Sequence, residues 1–305
     1  MKTRSVLKKI LILAVVLVAI GALTYFAAMR SMDLDYTTFA HNGMDREYLL
    51  YLPENLPDNA PLVFSLHGYA MQAQDMWYYT GMNAVADQHG FAVVYPQGTL
   101  DDGGTTHWNA NLKLREKAVD DTAFLTYLAR YLQKTHNLDP ERTFSSGLSN
   151  GGFMSYHLAL DAPETFHAMA SVVGAMSGPD WERRDIAKPF PVLQISGVED
   201  HTVPIDGTMD PKNGWGGAPH MDTVMAYWSE VNLCKDSRTV KIGEDTTAVY
   251  YENGVDGNAV WDYRIDGFGH NWPGGHAELY GFVVASAPAT AIHASEVIWE
   301  FFSKY

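Results

Sequence analysis

One serine in this 305-residue chain sits where a serine can be made reactive. Gly147-Leu148-Ser149-Asn150-Gly151 has G-x-S-x-G spacing, which suits a sharp turn from a strand into a helix with the serine at its apex. Gly147 and Gly151 carry no Cβ, so the incoming strand and the outgoing helix can pass close together. The free N–H groups at the start of that helix then face any negative charge that develops beside the serine. A Gly/Ser-rich turn with no chemistry is the competing reading of the same five residues.

A serine hydroxyl is a poor nucleophile at neutral pH. It needs a general base within hydrogen-bond reach, and that base needs an orienting carboxylate. With this kind of turn the chain order is serine, acid, histidine. Ile195-Ser-Gly-Val-Glu-Asp200-His-Thr-Val-Pro204 reads as a strand end followed by a turn and offers Asp200 as the acid, with Glu199 and Asp206 as rivals. Gly267-Phe-Gly-His270-Asn-Trp-Pro-Gly-Gly275 follows the last predicted strand, which singles out His270 as the base among 12 histidines, with His276 its nearest competitor. Acyl transfer also needs two backbone donors for the oxyanion. Asn150, next to the serine, supplies one, and Tyr69 beside Gly68 the other. His67, at a strand end, is expected to shape that loop. No cofactor or metal is implied. Asp206 to His220 lacks the glutamate and spacing of a calcium loop, and the single cysteine, Cys234, excludes an intramolecular disulfide and a cysteine-based zinc site.

These residues need a frame. Pro61–Leu66, Phe91–Tyr95, Ala168–Val173 and Pro191–Ile195 are short apolar runs of the kind that form inner strands of a parallel sheet. Glu47–Pro53, Arg142–Ser146, Thr246–Tyr251 and Asn258–Ile265 read as further strands, the last two adjacent. Helical spacing marks Met76–Gln88, Val119–Thr135, Gly152–Leu160, Met221–Asn232 and Ile292–Phe302, and Asp120 and Asp121 suit the first turn of the second of these. Strand and helix alternate, so the expected class is α/β, a doubly wound and mostly parallel sheet flanked by helices.

The front of the chain is different. Lys2, Arg4, Lys8 and Lys9 precede Ile10–Met29, twenty residues relieved only by Gly21 and Thr24. Residues 1–30 are expected to be a signal peptide or N-terminal anchor, and 31–305 the catalytic domain. The basic end should stay in the cytoplasm and the rest be exported, to a periplasmic or extracellular location. The net charge is −15 although Arg30 and the four basic residues before it meet no acid in the first thirty positions, so the body is more acidic still. Such a body repels nucleic acid and anionic lipid, leaving the N-terminal segment as the only membrane contact.

Leu66-His-Gly68, Val94-Tyr-Pro-Gln-Gly98, Trp108-Asn109, Asp120-Asp-Thr-Ala-Phe124, Gly147-Leu-Ser-Asn-Gly-Gly152, Asp200 with Val203-Pro204, and Gly269-His-Asn-Trp-Pro-Gly274 occur in that order. Over about residues 45–303 the chain resembles secreted polyhydroxybutyrate depolymerases and the related feruloyl and acetylxylan esterases. The resemblance implies an α/β-hydrolase fold, a Ser149–His270–Asp200 triad and cofactor-free hydrolysis of carboxylic esters. Members of that group often carry a cysteine where Tyr69 stands, and the polymer-degrading ones an extra substrate-binding domain. Both departures favour a small or oligomeric soluble ester over insoluble polymer. Trp77, Tyr78, Trp108, Trp215 and Trp272 are aromatics expected near the site, with Trp108 and Trp272 the foremost candidates for a substrate platform. A peptidase of the same fold and a non-catalytic binding scaffold are the rival functions.

Overall fold

Four short, mostly apolar runs account for the centre of the molecule, because a strand buried on both faces has no use for polar alternation. The computed structural model describes residues 34–112, 119–209, 216–276 and 290–305. The expected leader and Trp215 therefore lie outside the described residues. The chain divides into Met1–Tyr36 and the unit Thr37–Tyr305. Within the latter the strands are β1 Thr37–His41, β2 Met44–Tyr51, β3 Ala60–Leu66, β4 Ala92–Pro96, β5 Thr99–Leu100, β6 Thr106–His107, β7 Leu138–Leu148, β8 Ala168–Val172, β9 Val192–Gly197, β10 Asp236–Ile242, β11 Thr246–Glu252 and β12 Val260–Ile265. The helices are α1 Ala73–Tyr79, α2 Met82–His89, α3 Asp121–His136, α4 Asn150–Asp161, α5 Gly178–Glu182, α6 Met221–Val231 and α7 Ala294–Phe302. Among the described residues no helix is long and apolar enough to cross a membrane.

Ten strands form one sheet in the order β1-β2-β4-β3-β7-β8-β9-β12-β11-β10, and β5 and β6 pair separately. The six from β4 to β12 run parallel, and antiparallel strands close both margins. This is the α/β-hydrolase fold. Every residue of β3, β4, β8 and β9 is buried. From β3 the chain steps to β4 on one side and later to β7 on the other, so the strand order reverses between β3 and β7. In open α/β sheets the crevice outside the strand ends at such a reversal is where ligands bind.

Alternate residues point to opposite faces. Val63 and its partner Phe144 share one face, where Phe144 stacks on Phe302 of α7 at 4.7 Å. Phe64 points the other way, into a core shared with Phe124 and Leu128 of α3, Phe153 of α4 and Val224 and Trp228 of α6. Helices thus cover both faces.

Three local expectations need correction. The helix expected over Met76–Gln88 is two helices, broken at Thr80 and Gly81, and Gly81 has φ 71°, a backbone region that glycine enters without penalty. β7 starts before Pro140 rather than at Arg142, and its register with β3 shifts between Ala60 and Leu62 to accommodate the proline. The edge strand β10 adds to the strands expected from the sequence. Its residues are mostly exposed and it carries Arg238 and Lys241, as edge strands do to discourage further pairing.

Candidate active site

The elbow is built from backbone. β7 ends at Leu148, Ser149 has φ 54° and ψ −116°, and α4 begins at Asn150. A non-glycine residue there costs about 1–3 kcal/mol and persists only when its surroundings over-determine it. They do so here. Ser149 N–H donates to Val172 O at 2.9 Å, tying the apex to the end of β8. A Cβ on Gly147 would land on the backbone of Gly151, and one on Gly151 on the carbonyl of Leu66, so β3, β7 and α4 meet at a point that admits only glycine. Val173, one strand over, is also held at a positive φ of 45°. Ser149 is 7% exposed, so its surroundings are largely protein.

The loop after β3 lies against the elbow. A Cβ on Gly68 would sit 3.6 Å from Ser149 Cβ. His67 is fully buried and braces this loop, with Nδ1 donating to Gly68 O at 2.7 Å and Nε2 accepting from Gly98 N–H at 2.9 Å. Burial holds its pKa down to about 4, with His107 and Arg46 adding repulsion, so the ring is neutral. Tyr69 is fixed by its hydroxyl, which donates to Asp101 Oδ2 at 2.7 Å. Asn150 binds Trp108 reciprocally, accepting from Trp108 N–H at 2.6 Å and donating to Trp108 O at 3.1 Å. Trp108 Nε1 in turn donates to His67 O at 3.0 Å. Asn150, Trp108 and His67 therefore form one strut between the start of α4 and the loop that carries Tyr69.

Asp200 and His270 are brought together. His270 Nδ1 lies 2.7 Å from Asp200 Oδ2. The other oxygen, Oδ1, accepts from Thr202 N–H and Val203 N–H, both at 2.8 Å, so the carboxylate is aimed. Asp200 is 3% exposed, whereas Glu199 and Asp206 point to solvent. The histidine loop folds back over β9: Glu199 N–H donates to Phe268 O at 3.0 Å, and a Cβ on Gly197 would strike the carbonyls of Phe268 and Gly269. Ser149, Asp200 and His270 follow β7, β9 and β12, so all three leave the same edge of the parallel sheet. His276 lies beyond this pairing, exposed and near Gly81.

The aromatic platform is a correction. Trp108 and Trp272 are both 0% exposed, so neither offers a face to a ligand. Trp108 is the strut just described, and Trp272 Nε1 donates to Ser295 Oγ at 3.3 Å. Trp77 and Tyr78 on α1 are half-buried. Asp121 does more than complement its helix. Its oxygens accept from Arg46 Nη2 at 2.7 Å and Asn109 N–H at 2.8 Å, while Arg46 also donates to Gln97 O at 3.3 Å. No spacing in the sequence announces this pair, which lies 75 residues apart. Among the described residues no cluster of His, Cys, Asp and Glu is arranged to hold a metal.

A sheet with its strand reversal at β3 and β7, a glycine-packed serine turn and a carboxylate-backed histidine is the architecture of an α/β-hydrolase. Residues 46–226 match the family model described as Esterase PHB depolymerase, and the chain belongs to that family of carboxylic ester hydrolases. It is 30% identical over 266 residues to NocK of Nocardia uniformis subsp. tsuyamanensis, named as a candidate esterase, covering 79% of this chain and 76% of NocK. It is 26% identical over 178 residues to poly(3-hydroxyalkanoate) depolymerase C of Paucimonas lemoignei, covering 55% of this chain and 39% of that enzyme. The acetyl xylan esterase of Aspergillus awamori has the same fold, with a TM-score of 0.65 and 14% identity over 89% of this chain and all of that one.

Proposed function

We propose that the protein hydrolyses small or oligomeric carboxylic esters through an acyl-enzyme on Ser149. The observation that carries this reading is the 2.7 Å contact between His270 Nδ1 and Asp200 Oδ2. A carboxylate can only accept there, so Nδ1 holds the proton and Nε2 keeps its lone pair for the serine. As Ser149 Oγ bonds to the ester carbonyl carbon, His270 Nε2 takes the hydroxyl proton and the carbonyl oxygen becomes an oxyanion. The N–H groups of Asn150 and Tyr69 receive that charge. Collapse breaks the C–O bond to the alcohol, which leaves with the proton from His270. Water, deprotonated by His270, then attacks the acyl-enzyme and releases the acid and Ser149.

The names of relatives, which include acetylxylan esterase, feruloyl esterase B and a poly(3-hydroxyalkanoate) depolymerase, support this substrate class. Acetyl, feruloyl and hydroxyalkanoate esters of soluble oligomers are the expected substrates. The leader-like residues 1–30 support export of the catalytic domain. Labelling with a fluorophosphonate probe tests the nucleophile: wild type should label and Ser149→Ala should not. Equal labelling would overturn the assignment. Turnover of peptide amides in preference to an ester panel would instead identify a peptidase.

A further inference from the structure

We infer that Tyr79 is a positioning residue for His270, acting from the far end of the loop that carries the base. His270 stands at the crest of a loop held on both sides. Two residues before it, Phe268 O accepts from Glu199 N–H at 3.0 Å, a backbone anchor at the end of β9. Two residues after it, Trp272 N–H donates to the hydroxyl of Tyr79 at 2.9 Å, an anchor supplied by a side chain 193 residues away. Tyr79 grips the same loop twice more. Its backbone carbonyl accepts from His276 N–H at 2.9 Å, and its ring lies under Gly275, where a Cβ would come within 2.7 Å of Cε2. The phenol is 1% exposed, so no water competes for the amide of Trp272.

The rest of the neighbourhood stiffens the grip. Ser295 Oγ, at the start of α7, donates to Thr80 O at 2.7 Å and accepts from Trp272 Nε1. The break between α1 and α2 at Thr80 and Gly81 is what leaves the Tyr79 and Thr80 carbonyls free of a continuing helix and able to accept from the loop and from Ser295. A buried amide that lost its acceptor would pull the loop toward another partner. The loop tip would then lose the geometry that keeps Nδ1 on Asp200 and Nε2 toward the serine.

The inference rests on His270 being the base. Tyr79→Phe removes the acceptor and keeps the ring. For a soluble aryl acetate, kcat should fall roughly three- to tenfold, the span of one hydrogen bond's net worth, with KM unchanged. The low-field proton resonance of His270 Nδ1–H should shift or broaden. Tyr250→Phe is the control, because it removes a buried hydroxyl bonded to Tyr263 at 2.8 Å, a bond between β11 and β12 rather than one to the loop itself. It should lower Tm comparably while leaving kcat and the resonance unchanged. Wild-type kcat with an unaltered resonance in Tyr79→Phe would overturn the inference, and so would equal kcat losses in both variants. Full activity in His270→Ala would instead remove the base assignment itself, whatever Tyr79 does.

Discussion

The serine turn and the histidine loop leave the same sheet edge, yet they are held in opposite ways. The serine turn is fixed by neighbours in sequence and by adjoining strands: Gly147 against Gly151, Gly151 against Leu66, and Ser149 N–H on Val172 O. The histidine loop has one backbone anchor, Glu199 N–H on Phe268 O, and past His270 it is fixed from afar, by Tyr79 of α1 and Ser295 of α7. Close backbone packing tolerates strain, and Ser149 holds φ 54° because β3, β8 and α4 leave it no alternative. A loop hung on side chains tolerates substitution better, and it loses geometry gradually instead of failing to fold.

Experiments can break this contrast. The largest effect is expected at the acid. Asp200→Asn keeps the shape but loses the carboxylate that sets the imidazole tautomer, and kcat should drop about 10⁴-fold with Tm little changed. A comparable loss of folding would mean that Asp200 is mainly structural. Gly147→Ala should destabilise the fold by about 3 kcal/mol, since its Cβ meets backbone that cannot swing away. Chemical denaturation reads this directly, and a near-neutral result would refute the picture of a rigid turn.

A pH experiment sharpens the serine side of the comparison. His67 has its pKa lowered from 6.5 to about 4 by burial, so the unfolded chain binds more protons than the folded one between those values. Stability should therefore fall as pH drops from about 6.5 to 4, by about 3 kcal/mol from this residue. His67→Gln, measured by urea unfolding across that window, should show a shallower slope, and an unchanged slope would assign the acid sensitivity elsewhere. The smallest effect lies at the apex itself. Ser149→Gly should be more stable than Ser149→Ala by about 1 kcal/mol, because only glycine sheds the positive-φ cost. Equal stabilities would deny the strain.

The same contrast explains what could be read from the chain alone. Inner strands, the serine turn and Asp200 follow from local patterns: apolar runs, glycine spacing, a turn after a strand. The short helix α5 and the edge strand β10 did not stand out, the latter because Asp-Ser-Arg-Thr-Val-Lys-Ile has polar residues on both sides and little to bury. Trp108 and Trp272, in Gly- and Asn-rich loops, read as candidates for a substrate platform. Their burial depends on Asn150, His67 and Ser295, which no local window contains. The break at Gly81 was readable in principle, as a glycine inside a helical pattern, but the three grips of Tyr79 on the histidine loop were not.

The Arg46–Asp121 pair has a consequence for anyone who would remodel the connection between β4 and α3. Through it β2, the carbonyl of Gln97 and the amide of Asn109 share one desolvated guanidinium and one desolvated carboxylate. Grafting a foreign segment over residues 98–121 without a carboxylate at 121 would strand that cation away from water, a penalty of about 3–5 kcal/mol. Transplants must keep both ends of the clasp and, between them, Asp101 beneath Tyr69 and Trp108 against Asn150 and His67; those that cut the clasp should lose stability before any change in selectivity can be read.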